Sequence, residues 1–571
     1  MSKDQVLRSH RWFLEPGLRT FGHRSRAKQI GLDDTDLDGR PVIGLINTWS
    51  DINPCHFHFK DRIDDLKRGV LQAGGLPLEI PAIALAENFQ KPTTMLYRNL
   101  LSLETEELLR SYPIDGAVLM GGCDKTTPGL IMGALSVNLP SIFFPAGPML
   151  KGCWKGNVLG SGSDTWKYWD ELRAGNITDC DWSEIESGIA RSPGHCMTMG
   201  TASTMTSVAE AMGLTLSGAS SIPAGLSHHN RMAVATGRRI VGAVEEDLRI
   251  RDIVGAGSLH NGTAVALSLG GSTNAAIHLV ALARRADVEF GLNDLARLAE
   301  KIPVLSNIRP AGEFLMEDYF DAGGLPAQMR NLGSLLDLDA RTINGGSLGE
   351  DIASAEVVDP KVIRDLADPV DAGPALAVLR GNLCPDGALI KPTTVSDGLR
   401  SHAGPAVVFD GYEDMKARID DPALDIDEDS VLVLRGVGPI GGPGMPEWGM
   451  IPIPDRLVKK GVRDMVRISD ARMSGTSYGA CILHVAPESA VGGPLSRLHT
   501  GDIVRVDIEA RTLEAEVNAQ EWAARTPMAA PRRPGEERGY LRLFIDHVEQ
   551  ADKGCDFDFL SGSNEHEPVI H

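Results

Sequence analysis

Three of the eight cysteines stand in company that suggests chemistry rather than packing. Cys55 closes the run Asp51-Ile52-Asn53-Pro54-Cys55, and Cys123 opens Cys123-Asp124-Lys125. Cys196 follows Pro193-Gly194-His195, just ahead of the helix-forming stretch 199–212. A helix N-terminus stabilises a thiolate through its dipole and free N–H groups, which predicts a lowered pKa at Cys196. Three thiolates gathered beside hard oxygen ligands such as Glu87 and Asp124 read as a soft metal site next to a hard one. Iron–sulfur clusters usually take four cysteines. A three-cysteine site leaves one iron position open to substrate and favours Lewis-acid chemistry over electron transfer. A lone buried cysteine is otherwise a small hydrophobe, and that reading goes to Cys153, Cys180, Cys384, Cys481 and Cys555.

Other candidates are weaker. His56 and His58 beside Cys55 suggest zinc, but one cysteine without a second matching pair is a poor zinc set. His228 and His229 read as solvated loop residues. Val431–Arg435 followed by Gly436-Val437-Gly438-Pro439-Ile440-Gly441 satisfies GxGxxG after a strand. A dinucleotide site needs a helix to start there, which Pro439, Pro443 and Pro446 forbid. The run reads instead as a compact turn loop, with Glu447 at its end as a candidate ligand. No P-loop motif is present.

The elements that would position these residues begin with an alternation of apolar runs and helical spacing. Pro41–Asn47, Leu76–Ala84, Gly116–Met120 and Ser141–Pro145 read as buried strands, separated by helices at Phe59–Ala73, Thr93–Ser111 and Leu130–Leu135. This predicts an α/β, doubly wound, mostly parallel sheet. Ligands bind beyond the carboxyl ends of such strands, where Thr48–Cys55, Glu87-Asn88 and Gly121–Pro128 fall. The stretch 199–304 is helix-rich. Periodicity weakens over Asp351–Ala372, which places a boundary between an N-terminal domain, 1–370, and a C-terminal domain, 371–571. Beyond it, short β-type runs at Ala406–Phe409, Val431–Leu434, Met465–Ile468, Ile482–Val485, Ile503–Ile508 and Leu513–Val517 suggest a β-rich, barrel-like domain, the last two forming a hairpin. The tail after Gly535 is expected to fray.

Composition narrows the function classes. The 571 residues carry 77 Asp and Glu against 56 Lys and Arg, a formal charge of -21. So acidic a surface repels phosphate backbones and anionic lipid, so nucleic acid and membrane surfaces are poor partners. Eight cysteines are too sparse for a disulfide scaffold and suit a reducing cytoplasm. The N-terminus lacks an apolar signal core, and the longest apolar stretches, such as Ala275–Ala283, fall short of the roughly 18 residues a membrane span needs.

Taken together, Asp51–Cys55, Gly122–Pro128, His195–Met205, Gly270–Asn274, Gly436–Glu447 and Ser469–Gly475 resemble the dihydroxy-acid and sugar-acid dehydratases. The resemblance runs from about residue 40 to about 545 and is nearest in look to the pentonate (L-arabinonate and D-xylonate) dehydratases. It implies a [2Fe–2S] cluster on Cys55, Cys123 and Cys196. It also implies Mg²⁺ on Glu87, Asp124 and Glu447, with Lys125 carbamylated so that it too offers oxygens, since a cationic lysine cannot ligate Mg²⁺. Ser474 becomes the base, although without the resemblance it reads as a turn hydroxyl. Relatives form dimers of dimers, which implies a homo-oligomer, dimer or tetramer. Two positions depart from the usual Asn beside the cluster cysteines: His56 and Met197.

The implied reaction is dehydration of a 2,3-dihydroxy sugar acid to its 2-keto-3-deoxy acid. A branched-chain dihydroxy-acid dehydratase and a phosphogluconate dehydratase use related chemistry and stay open. An iron–sulfur electron carrier or sensor is the non-enzyme alternative. It would have four cluster ligands and no use for Glu87, Asp124 and Glu447.

Overall fold

The computed structural model describes residues 6–173, 175–529 and 535–570. Strands β1 (Val42–Asn47), β2 (Leu76–Pro81), β3 (Gly116–Gly121) and β4 (Ser141–Pro145) alternate with helices α1 (Phe59–Gln72), α2 (Met95–Ser111) and α3 (Thr126–Val137). The strands form a wholly parallel sheet in the order β2-β1-β3-β4, the doubly wound arrangement their apolar runs predict. In β1 every residue is buried, because helices cover both faces and no solvent side calls for polar alternation. Ile43 lies opposite Pro77 on one side and Gly116 on the other. The chain thus steps outward from β1 to β2 and returns past β1 to β3. The carboxyl ends of β1 and β3 flank this switch point, where open sheets bind ligands, and they lead into the loops of Cys55 and Cys123.

The helix-rich stretch contains α4 (Thr201–Ala211), α5 (Ser227–Glu245), α6 (Ala256–Ser268) and α7 (Asn274–Arg285). Every residue of α4 is buried despite its run of Thr and Ser. The cost is met locally, because Thr204 and Thr206 donate their hydroxyls to Gly200 and Ala202 carbonyls one turn back.

Eight strands make the second sheet: β5 (Ala377–Leu379), β6 (Gly387–Ile390), β7 (Ser401–Asp410), β8 (Val431–Arg435), β9 (Arg467–Ser469), β10 (Cys481–Ala486), β11 (Ile503–Asp507) and β12 (Thr512–Ala515). Their order is β12-β11-β7-β8-β9-β10-β6-β5. Strands β7 to β10 are mutually parallel, and β11–β12 is the expected antiparallel hairpin. The two edges meet: Arg380 N–H donates to the Arg511 carbonyl and Leu513 N–H to the Arg380 carbonyl, each at 2.9 Å. The sheet is therefore a nearly closed barrel, as expected. Val431 and Val433 point into its core, while Leu432 and Leu434 pack outward against Phe409 and Met415. Sequence reasoning placed no strand at β5 or β6, which are three and four residues long and too short to show a period.

The tail does not fray where expected. Helix α8 (Gly539–His547) and the segment to Phe557 return to the first domain, burying Phe544, Cys555 and Phe557 against Met95, Leu96 and Ile277. Among the described residues no helix is long and apolar enough to cross a membrane.

Candidate active site

The exit from β2 delivers Glu87, whose two carboxylate oxygens accept hydrogen bonds from Thr93 Oγ1 (2.9 Å) and Thr94 Oγ1. The loop after β3 delivers Asp124 and Lys125. Lys125 is fully buried, with Nζ 3.1 Å from Asp124 Oδ2 and 3.6 Å from Glu87 Oε2. Glu447 arrives from the barrel side, on the loop after β8. Its Oε1 accepts from Arg472 Nη1 and Asn274 Nδ2, both at 3.0 Å. Burial pushes the Glu447 carboxyl up; Arg472 and Lys125 oppose the shift, while Glu87 and Asp124 add to it. Three half-buried carboxylates and two fully buried cations thus share one cluster at the junction of sheet and barrel.

The thiols gather beside it. Cys55 lies within hydrogen-bond reach of Cys123, and this contact, followed by burial, pushes the Cys55 thiol well up. Cys196 is pushed up to about 11, first by burial and then by Asp124, Cys123 and Glu447. The lowering expected at Cys196 therefore fails. Helix α4 starts at Thr201, five residues further on, beyond the reach of a dipole that fades within a turn. The loop of Cys123 is tightly fitted: a Cβ on Gly122 would lie 2.6 Å from the Ala146 nitrogen.

The histidines read as zinc candidates are instead built into the scaffold. His56 is buried, stacked on Phe59. Its Nε2 accepts the Cys123 N–H at 2.9 Å, and Nδ1 meets Thr48 Oγ1 at 2.9 Å. His58 Nε2 donates to the Ala146 carbonyl. Burial pulls His56 down to about 3, so the ring stays neutral. Nor is His229 a solvated loop residue: it is buried within α5, donating from Nε2 to the Pro145 carbonyl. His228 is exposed, but on the same helix. Of the five cysteines read as packing residues, Cys384, Cys481 and Cys555 are buried, whereas Cys153 and Cys180 are exposed.

Ser474 sits on the turn after β9, half-buried, with Oγ 3.0 Å from Thr476 Oγ1. A Cβ on Gly475 would lie 2.8 Å from the Thr201 nitrogen and 2.9 Å from Ser272, so only glycine allows this approach. Ser161 links this turn to the thiols. Its Oγ accepts the Met197 N–H at 3.1 Å and opposes the rise of the Cys196 thiol, while neighbouring Gly162 lies against Thr476. Met197 is buried and held through its backbone, its carbonyl accepting from Met316 N–H.

The N-terminal model of the dihydroxy-acid/6-phosphogluconate dehydratases matches residues 40–351, and the C-terminal model matches residues 361–555. The chain belongs to this family. It is a dehydratase, a hydro-lyase. Among its relatives are a 6-deoxy-6-sulfo-D-gluconate dehydratase of Pseudomonas putida, 53% identical over 100% of this chain and 99% of that one. An L-arabinonate dehydratase of Rhizobium leguminosarum bv. trifolii is 44% identical over 97% and 96%. A D-xylonate dehydratase of Caulobacter vibrioides is 40% identical over 97% and 95%.

In this dehydratase the GxGxxG-like loop cannot serve a phosphate, because its amides are already taken by carboxylates. Asp470 accepts from Gly436 and Val437 N–H, and Glu488 from Ile440 and Gly441 N–H. The compact-turn reading holds, and the clamp fixes the approach of Glu447. Sequence reasoning gave no role to Arg472, Asn274 or Thr93. The first two lie inside quoted motifs, where a role was there to be found. Thr93 carries no motif signal: it bridges Glu87, six residues before it, to Arg472 on the distant barrel loop.

The donor set suits metals in kind, with carboxylates for a hard cation and thiols for soft iron. Among the described residues, no three His, Cys, Asp or Glu side chains are gathered closely enough to hold a metal as they stand. The charges among the carboxylates are those of Lys125 and Arg472. Asn274 Oδ1, on the amide whose nitrogen bonds Glu447, has no hydrogen-bond partner among the described residues.

Proposed function

We propose that this dehydratase converts a 2,3-dihydroxy sugar acid, an aldonate, to the 2-keto-3-deoxy acid. In this reading Cys55, Cys123 and Cys196 would hold a [2Fe–2S] cluster. Glu87, Asp124, Glu447 and a carbamylated Lys125 would hold Mg²⁺. The observation that carries the reading is the convergence of three thiols, three carboxylates and a buried lysine, with Asn274 joining Glu447 to the Met473 carbonyl beside Ser474. Relatives named for sulfogluconate, arabinonate and xylonate point to the same substrate class.

When bound, the metals would supply Lewis-acid chemistry, acidifying the carbon-2 proton and making the 3-hydroxyl a competent leaving group. The protein's own part is proton transfer and charge. Ser474 Oγ takes the carbon-2 proton, and Thr476 Oγ1 at 3.0 Å fixes the direction of that hydroxyl. Serine needs nearby positive charge to act as a base. Carbamylation turns Lys125 from a cation that competes for the carboxylates into another oxygen donor. Water leaves, and the enol tautomerises to the keto acid.

Anaerobically purified protein, offered L-arabinonate, D-xylonate, D-gluconate, 6-deoxy-6-sulfogluconate, 6-phosphogluconate and 2,3-dihydroxyisovalerate, should yield keto acid in a semicarbazide assay from aldonates first. Ser474→Ala should lower kcat by about 10²–10⁴-fold, the usual range for a lost proton-transfer group, with the cluster absorbance unchanged. Cys123→Ser should lose both. Full turnover in either variant would refute the assignment.

A further inference from the structure

Asn274 opens α7 and is fully buried. Its Nδ2 faces three acceptors: Thr201 Oγ1 at 3.0 Å, Glu447 Oε1 at 3.0 Å and the Met473 carbonyl at 3.2 Å. The amide cannot be turned over, because Oδ1 would then face a carboxylate and a carbonyl, neither of which can donate. This orientation leaves Oδ1 buried without any donor. A buried acceptor left unmatched costs about 1–3 kcal/mol, and this one, on the amide that bonds Glu447, is placed to take a donor from a group bound at the site.

The residue is also held rigidly. Its backbone N–H donates to Ser272 Oγ at 3.2 Å, and Ser272 Oγ lies 2.9 Å from Thr201 Oγ1. From the barrel side, Lys391 Nζ donates to the Gly270 carbonyl of the same turn at 2.9 Å.

We infer that Asn274 is a positioning residue that sets the Glu447 carboxylate and the Ser474 turn in register across the domain junction, and that its Oδ1 accepts one O–H donor from the loaded site. This rests on the function proposed above. The donor is a hydroxyl, supplied either by the sugar acid or by a water on the cation.

The test uses the reconstituted holoenzyme with Asn274→Ala and the isosteric Asn274→Asp. Mg²⁺ binding is followed by calorimetry without substrate, and kcat and KM are measured at saturating Mg²⁺. Loss of an outer partner of a metal ligand typically costs about 10–100-fold in metal affinity or activity, and kcat should fall by that much in both variants, with the cluster absorbance kept. If the donor is a water on the cation, Asn274→Ala also weakens Mg²⁺ binding at unchanged KM. If the donor is a substrate hydroxyl, KM rises at unchanged Mg²⁺ affinity. Asn274→Asp, which adds a carboxylate, should bind Mg²⁺ no more weakly than Asn274→Ala while still losing kcat. Wild-type kcat, KM and Mg²⁺ affinity in both variants, whatever their melting temperatures, would overturn the inference. A wild-type protein that binds no Mg²⁺ would instead overturn the function on which it rests.

Discussion

His56 follows Cys55 in the chain, yet its Nε2 accepts the backbone N–H of Cys123. Thr126 Oγ1 shares that N–H at 3.0 Å. One neutral ring thus ties together two loops that each carry a thiol, and Thr48 Oγ1, itself donating to the Met120 carbonyl, fixes its other nitrogen. An N–H spent on a ring is not available to a sulfur, so this residue bears on how firmly the thiols hold what they bind. Asparagine, with its shorter side chain, cannot span from Thr48 to Cys123. His56→Asn should therefore lose the proposed cluster several-fold faster on exposure to air, read from the decay of visible absorbance, even where the freshly loaded enzyme turns over normally. Equal decay in the two proteins would reduce the ring to packing against Phe59.

At the scale of elements, the junction depends on a lysine that no carboxylate accompanies among the described residues. Lys391, just after β6, is fully buried with the Gly270 carbonyl as its partner, and burial pulls its ammonium down to about 8. Between that value and its ordinary 10.5, the unfolded chain holds more protons than the folded one, so stability rises with pH across this window. Below pH 8 the folded protein bears the full cost of a buried charge, on the order of 3 kcal/mol before the hydrogen bond is credited. Lys391→Met removes the titration. Its melting temperature relative to wild type should be highest at pH 7 and should fall by several degrees by pH 10. A pH-independent gap would show that the amine is already neutral at pH 7. The same elements show what could be read from sequence. Strands β1, β3 and β4 were legible because helices bury both faces and leave an unbroken apolar run, and the edge strand β2, with Glu79 exposed, because Leu76, Leu78 and Ile80 alternate along it. The Cys55, Cys123 and Cys196 loops were legible because polar and turn residues surround them. Strands β5 and β6 were hidden by brevity. Asn274 and Arg472 reach Glu447 across 173 and 25 positions, and Arg472 reaches Thr93 across 379, separations that no local pattern encodes. The thiolate expected at Cys196 is not favoured because α4 begins at Thr201, two residues later than the helix-forming stretch from Met199 suggests, which leaves Cys196 beyond the helix's first turn.

Over the whole molecule the charge of -21 is a property of the surface, while the interior of the first domain holds cations. Arg98 donates to the Gly554 and Cys555 carbonyls, and Arg285 forms a two-pronged pair with Asp556 at 2.6 and 3.1 Å. Both arginines are fully buried. The tail after the barrel is therefore a strap: it returns across the junction and supplies the acceptors that the α2 and α7 arginines need. Cys555 on this strap touches Met445, two residues before Glu447, so the strap also backs the loop that carries a candidate metal ligand. Removing one member of a buried pair leaves the other charged and dry, which costs about 3–5 kcal/mol, whereas replacing both by apolar groups is often neutral. Asp556→Ala should accordingly lower the denaturation midpoint sharply, and Arg285→Met with Asp556→Leu should restore most of the loss. Glu106, 3.8 Å from Arg285, is the carboxylate placed to take over among the described residues. If Asp556→Ala proves as stable as wild type, combining it with Glu106→Gln separates substitution by Glu106 from a strap that carries no load. Only in the second case would the double variant also melt like wild type.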